Sequence, residues 1–284
     1  ICATLPENMD ADTREFLIGE GVAPMQGIHE TLNAIGQAAN WAQTRARIAS
    51  GLPAPLLPAE PLGALEMLTE DAGKSWLSRI GVPVPKGKVV PAAHLGRAAT
   101  DIGFPVALKM MSPLLAHKTE AGAVALNLGD AGAVREAAAR MKRQVAEHDP
   151  EAVTDNFLIE AMSPPPLAEL IVTLRSDPQF GAALVLGSGG ILVELVGDAV
   201  TLLLPSTRDD ILRALQGLRV ARLLGGYRGR PEADLPKIAD QIHTLCQAYL
   251  QERRIMAEIE INPLFVYEDY ICAVDALLHR RVAP

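Results

Sequence analysis

With 284 residues, 49% of them hydrophobic, the chain can bury a sizeable core in one large domain or two ordinary ones. Its net charge of -8 excludes a general nucleic-acid binder, whose affinity rests on lysine and arginine meeting phosphates, but leaves room for a small anion at a local basic cluster. Cys2, Cys246 and Cys272 are far apart and form no CxxC pair, which argues against a disulfide framework or a zinc site and fits a cytosolic setting.

Residues 1–50 read as strand, helix, strand, helix. An apolar opening over 1–5 precedes a helix over 10–19, a short strand over 22–25 and a helix over 28–48. In that last helix Ile28, Leu32, Ile35, Ala38, Ala39 and Ala42 recur at helical spacing. The opening carries no charged segment followed by an apolar run, and it begins at Ile1 instead of methionine, so a processed or partial product is expected. Pro53, Pro55, Pro58 and Pro61 mark 51–61 as an extended linker. Thr69 then caps a predicted helix that presents Ala72, Trp76, Leu77 and Ile80 on one face and ends at Gly81, with Pro83 and Pro85 beyond.

Strands are predicted over 88–90, 105–111 and 124–128, followed by a helix over 131–147. Further strands fall over 156–160, 169–174, 182–186, 191–195 and 200–203, then helices over 209–224 and 235–251, then a hairpin. The longest apolar stretch, 181–205, is broken by glycines, Glu194 and Asp198, so it reads as buried strands of a soluble protein instead of a membrane span. The mixture predicts α+β subdomains with largely antiparallel sheet.

Gly73-Lys74-Ser75 resembles the end of a P-loop, yet Leu68 stands where the first glycine belongs and the segment is helical. Gly187 and Gly189 are followed by Leu192 where a dinucleotide fingerprint needs its third glycine. Both nucleotide motifs are excluded. Near the C-terminus, Glu258, Glu260 and Asn262 alternate with Ile259 and Ile261, which puts a row of oxygens on one strand face. If the hairpin turn is centred between Glu268 and Asp269, Asn262 faces Asp275. Such oxygens suit magnesium, whose shell nucleotide phosphates and waters complete, and they equally suit a plain solvated face.

Lys109 interrupts an apolar strand and is either an edge-strand gatekeeper or a charge held for a phosphate. Gly187-Ser188-Gly189-Gly190 is first a hairpin turn and second a source of backbone N–H groups for an anion. His117, on the loop over 112–122, is either a solvated histidine or a nitrogen nucleophile able to accept a phosphoryl group.

Several segments taken in order resemble one family. They include Leu68-Thr69-Glu70 with Lys74, Gly81-Val82-Pro83-Val84-Pro85, Gly103-Phe104-Pro105-Val106-Ala107-Leu108-Lys109, and Ser112-Pro113 with His117-Lys118-Thr119. Asp177-Pro178-Gln179-Phe180-Gly181, Gly187-Ser188-Gly189-Gly190, Gly226-Tyr227-Arg228-Gly229, Glu260-Ile261-Asn262-Pro263 and Asp275-Ala276 follow. Over roughly 62–280 the chain resembles the ATP-grasp part of ADP-forming acetyl-CoA synthetases, relatives of the succinyl-CoA synthetase β subunit.

The resemblance implies an ATP-grasp fold over 62–284, two α+β subdomains clamping a nucleotide, preceded over 1–50 by the end of a flavodoxin-like, CoA-ligase α/β domain. It implies ATP phosphates at Lys109, with Gly187, Gly189 and Gly190 as further contacts, adenine beside Glu160 to Met162, and ribose near Glu169. Asn262 and Asp275 match the family's magnesium ligands, with Glu260 added from the oxygen row on the same strand face, and His117 would carry phosphate. In the family a second histidine on a separate domain then makes an acyl phosphate that CoA attacks. CoA-binding and ligase domains are therefore expected upstream. One departure is Glu120-Ala121-Gly122-Ala123, where the family commonly has Asp-Val-Gly-Gly. Competing readings are a regulatory nucleotide-binding module of an acetyltransferase fusion and another ATP-grasp carboxylate ligase.

Overall fold

Alternating apolar and polar residues build three sheets among the described residues. The structure is a computed structural model and describes residues 2–3, 5–50, 57–60, 63–115, 118–190 and 197–282. Two compact units are present, Ile1–Pro55 and Leu56–Pro284.

In the first unit β1 (Cys2–Ala3) pairs in parallel with β2 (Met25–Gln26). Helix α1 (Ala11–Gly19) starts on an Asp10 cap that accepts the Thr13 N–H at 2.7 Å, and Gly21 leaves it at a φ of 71°. Helix α2 (Ile28–Ser50) follows β2. The strand expected over 22–25 is shifted to Met25–Gln26, because Pro24 has no N–H to give a ladder. The helical spacing over 28–42 does make a helix, but Ile28, Leu32 and Ile35 stay 50%, 64% and 57% exposed.

The second unit begins with β3 (Leu65–Met67), α3 (Glu70–Arg79), β4 (Gly87–Pro91) and α4 (Leu95–Ile102). It continues with β5 (Val106–Met110), β6 (Val124–Leu128), α5 (Ala131–His148) and β7 (Asn156–Ala161). Strands β4-β7-β5-β6 form an antiparallel four-stranded sheet. Its apolar face is buried under α4 and α5, with Leu108, Met110, Phe157 and Ile159 against Leu95 and Met141.

Then come β8 (Ala168–Asp177), β9 (Gly181–Ser188), β10 (Ala199–Leu203), α6 (Arg208–Gly217), α7 (Ala221–Leu224) and α8 (Leu235–Glu252). The hairpin β11 (Met256–Val266), β12 (Ile271–Ala273) and β13 (Ala276–Arg281) closes the described chain. These strands and β3 form a seven-stranded sheet in the order β10-β9-β8-β11-β13-β3, with β12 also on β11. A second core joins Leu170, Val172 and Leu174 of this sheet to Ile211 of α6, to Ile242 and Tyr249 of α8, and to Trp76 and Leu77 of α3.

Helix α3 therefore packs its apolar face on the seven-stranded sheet, where Gly73 allows the close approach of Leu278. Its other stripe, Glu70 and Lys74, reaches residues of the four-stranded sheet. Strand β3 and helix α4 lie outside the sequence expectation, and the helix expected over 209–224 splits at Leu218, whose backbone is extended. The strand expected over 191–195 lies outside the described residues. Among those described, no helix is long and apolar enough to cross a membrane.

Candidate active site

Lys109 is the fourth residue of β5, a strand buried at every position. Since β5 lies between β7 and β6, the gatekeeper reading is excluded: there is no open edge for the lysine to guard. Its Nζ donates to Glu70 Oε1 at 2.5 Å and to the Val274 carbonyl at 2.9 Å, with Glu160 Oε2 at 3.4 Å. Lys74 Nζ lies 2.7 Å from both Glu160 oxygens and 2.8 Å from Glu70 Oε1. Lys118 Nζ lies 3.1 Å from Glu70 Oε2 and 4.0 Å from Asp275 Oδ1.

Three ammonium groups thus meet three carboxylates, and their formal charges cancel. That balance permits the burial, because an unpaired charge in this interior would cost several kcal/mol. Burial pushes the Glu70 carboxyl up, but Lys109, Lys74 and Lys118 together outweigh it and hold the carboxyl below its ordinary 4.5. Burial likewise disfavours the Lys109 ammonium, and Glu70, Asp275 and Glu160 reverse the effect, raising it above its ordinary 10.5.

The depressed Glu70 value has a consequence for acid stability. On acidification the unfolded chain takes up this proton before the folded chain does, so the Glu70 contribution is complete above about pH 4.5 and is lost as pH falls through the folded value. Urea midpoints measured from pH 6 down to about pH 3 should decline, and the decline should be shallower in Glu70→Gln. An identical pH slope in both proteins would contradict the assignment.

The second part of the site is the oxygen face of β11. Ile261 pairs with Ala276 and Leu264 with Ala273, a register that sets Asn262 across from Asp275. Ile259 and Ile261 are fully buried while Glu260 and Asn262 on the alternate face are partly open. Glu260, Asn262 and Asp275 line a cavity of about 190 Å³ together with Lys118, Thr119 and Glu120. Asp275 Oδ1 also accepts the Ala276 N–H at 2.9 Å, which fixes the carboxylate.

Among the described residues no group of three His, Cys, Asp or Glu side chains gathers as a closed metal cage. Two carboxylates and one amide oxygen instead fit magnesium, which keeps waters and shares its remaining positions with phosphates. A larger surface hollow of about 610 Å³ is lined by Gln216, Leu218, Arg219 and Arg222 but gathers no carboxylate among its lining residues.

The glycine segment is not the simple hairpin turn expected. Gly187 lies inside the β9 ladder opposite Ile171 and Ala199, and the partner strand β10 begins only at Ala199. Gly189 donates to the Glu169 carbonyl at 2.8 Å, and a Cβ on it would fall 2.4 Å from the Leu170 carbonyl carbon. Gly190, at a φ of 80°, donates to Asn262 Oδ1 at 3.3 Å, and a Cβ there would strike Glu169 Oε2. Gly189, Gly190, Glu169 and Asn262 are thereby brought together, with Gly187 a ladder residue beside them.

Glu160 is on β7 with its carboxylate committed to Lys74, and Met162 just beyond donates its N–H to the Pro105 carbonyl at 3.1 Å. His117 lies outside the described residues, and its described neighbours Leu115 and Lys118 are buried.

The residues that sequence reasoning passed over as site members are Glu70, Lys74 and Lys118. Glu70 and Lys74 form an i,i+4 pair, ordinarily the mark of a solvated helix face, and only the packing of α3 between the two sheets buries them. Lys118 had a signal, since it directly follows His117.

The fold of two sheets joined at a lysine-carboxylate cluster is that of a nucleotide clamp. The chain belongs to the ATP-grasp domain family, whose model matches residues 63–279. It is 35% identical over 210 residues to the β subunit of ADP-forming acetate–CoA ligase I from Pyrococcus furiosus, covering 74% of this chain and 90% of that one. Among solved structures it matches the dinucleotide-forming acetyl-coenzyme A synthetase 1 of Ca. Korarchaeum cryptofilum in complex with coenzyme A and Ca-AMPCP. That match has a TM-score of 0.71 and 31% identity over 76% of this chain and 94% of the other. A second structure of that synthetase, with coenzyme A and Mg-AMPPCP and a phosphohistidine segment pointing towards the nucleotide-binding site, matches at a TM-score of 0.64 and 30% identity, over 76% of this chain and 93% of the other.

Proposed function

We propose that this chain is the ATP-handling part of an ADP-forming acid–CoA ligase and that His117 accepts the γ-phosphoryl group of ATP. The observation that carries the proposal is the cavity where Glu260, Asn262 and Asp275 meet Lys118, the covalent neighbour of His117, with Lys109 bonded to Val274 beside Asp275. In this reading Lys109 binds nucleotide phosphate, and Glu160, Met162, Glu169 and the Gly187, Gly189 and Gly190 segment enclose the rest of the nucleotide. Glu260, Asn262 and Asp275 would hold magnesium, which supplies charge neutralisation at the phosphates.

A neutral imidazole nitrogen of His117 attacks the γ-phosphorus. An N–P bond forms as the bond from phosphorus to the β,γ-bridging oxygen breaks, and ADP leaves. Little covalent chemistry falls to the protein, so catalysis is positioning and charge compensation. The phosphohistidine then delivers its group to a CoA-binding, ligase portion on a partner subunit or a further domain, where the acid is activated and CoA acylated. The similarity to a β subunit and the helix-strand pattern of the first unit support such a partner. Unpaired, buried Cys246 and Cys272 support a reducing, cytosolic setting.

The test of the metal-nucleotide site is direct. Asp275→Asn is expected to raise the magnesium concentration needed for ADP binding by at least about tenfold, measured by calorimetry. Unchanged magnesium dependence would remove Asp275 from the metal site.

A further inference from the structure

The ion cluster does more than neutralise itself. The side chain of Glu70 has no solvent exposure, and its oxygens divide between lysines of different elements: Oε1 meets Lys109 at 2.5 Å and Lys74 at 2.8 Å, and Oε2 meets Lys118 at 3.1 Å. Lys109 stands on the rigid β5 strand, whereas Lys118 directly follows His117 in the connection from β5 to β6. Glu70 itself sits in the first turn of α3, a favourable place for a carboxylate, and α3 is fixed by Trp76 and Leu77 in the larger core.

We propose that Glu70 is a positioning residue for the phosphoryl-carrier loop, tying the loop at Lys118 to the phosphate-binding lysine through one carboxylate. This inference rests on the function proposed above for His117. Consecutive Cα atoms are about 3.8 Å apart, so holding Lys118 restricts where the nucleophile beside it can start. The backbone adds to the hold, since Ala123 donates to the Lys118 carbonyl at 2.8 Å.

The Lys118 contact is an ion pair that leaves Glu70 Oε2 without a directed hydrogen bond. Glu70 also competes with phosphate for Lys109. A loop-positioning role and a merely structural role therefore predict opposite effects on nucleotide binding. Without the carboxylate charge, Lys109 keeps only Glu160 and the Val274 carbonyl as competitors for phosphate, while the loop loses its anchor.

The test compares the full chain with its Glu70→Gln and Lys118→Met variants. Hydrogen exchange over residues 113–122 is expected to quicken in both by about tenfold or more beyond whatever change global destabilisation gives the β5 and β11 amides. Glu70→Gln should bind AMPPCP with magnesium at least as tightly as the wild type, yet take label from γ-labelled ATP at least about tenfold more slowly. Loop exchange equal to wild type in both variants would overturn the proposal. So would parallel loss of nucleotide binding and of protection throughout both sheets in Glu70→Gln, with Lys118→Met leaving the loop protected. A wild-type chain that takes no label would sink the function proposed for His117, while the exchange comparison would still decide whether Glu70 anchors the loop.

Discussion

Incubated with γ-labelled ATP and magnesium, the wild-type chain is expected to acquire an acid-labile label, and His117→Ala to acquire none. Acid lability is the signature of an N–P bond, because protonation of the imidazole makes it a good leaving group, whereas a phosphoserine survives. Loss of a nucleophile removes the covalent step itself, so complete turnover with the partner should fall by roughly 10⁴-fold or more. Nucleotide affinity should stay near wild type, since binding is assigned to Lys109 and to the Glu260, Asn262 and Asp275 face. Equal labelling of His117→Ala would end the carrier role and put the acceptor on another residue, whereas an unlabelled wild type would favour a chain that binds ATP without becoming phosphorylated.

The second large effect is expected at Lys109. Lys109→Met deletes one ammonium from a buried cluster and leaves Glu70 and Glu160 facing each other with less compensation. Breaking a buried pair by removing one partner costs about 3–5 kcal/mol, which in a unit of this size lowers Tm by roughly 6–20 °C. Glu70→Leu alone should be similarly damaging, because it strands Lys109 and Lys118. The double variant Lys109→Met with Glu70→Leu should be less destabilised than the sum of the two, by about 1–3 kcal/mol in a double-mutant cycle. Additive losses would show that the cluster is not energetically coupled. Nucleotide binding separates the two roles of Lys109: the double variant regains stability but should not regain affinity for ATP.

The site was partly legible in the sequence. The strict alternation of Glu258, Glu260 and Asn262 with isoleucines has a period that only a half-buried strand satisfies, and the turn at Glu268 and Asp269 then fixes the register opposite Asp275. Lys109 stood out because a lysine in an apolar strand needs a reason. Which reason could not be read from β5 itself, since edge and centre differ only in what pairs on either side. The glycine cluster was misjudged as a hairpin turn for the same cause: its strand partner starts beyond Asp198, and local sequence carries no record of that distance.

By itself, the sequence determined the elements with a strong period and the oxygen face of the last hairpin, because these depend on spacing along one chain segment. The tertiary structure alone decided that Glu70 and Lys74 are buried, that Lys109 is central in its sheet, and that Lys118 and Asp275 share a cavity. Each of those facts needs two elements far apart in the chain to meet. A charged side chain is compatible with either water or a buried partner until the fold supplies the opposite charge.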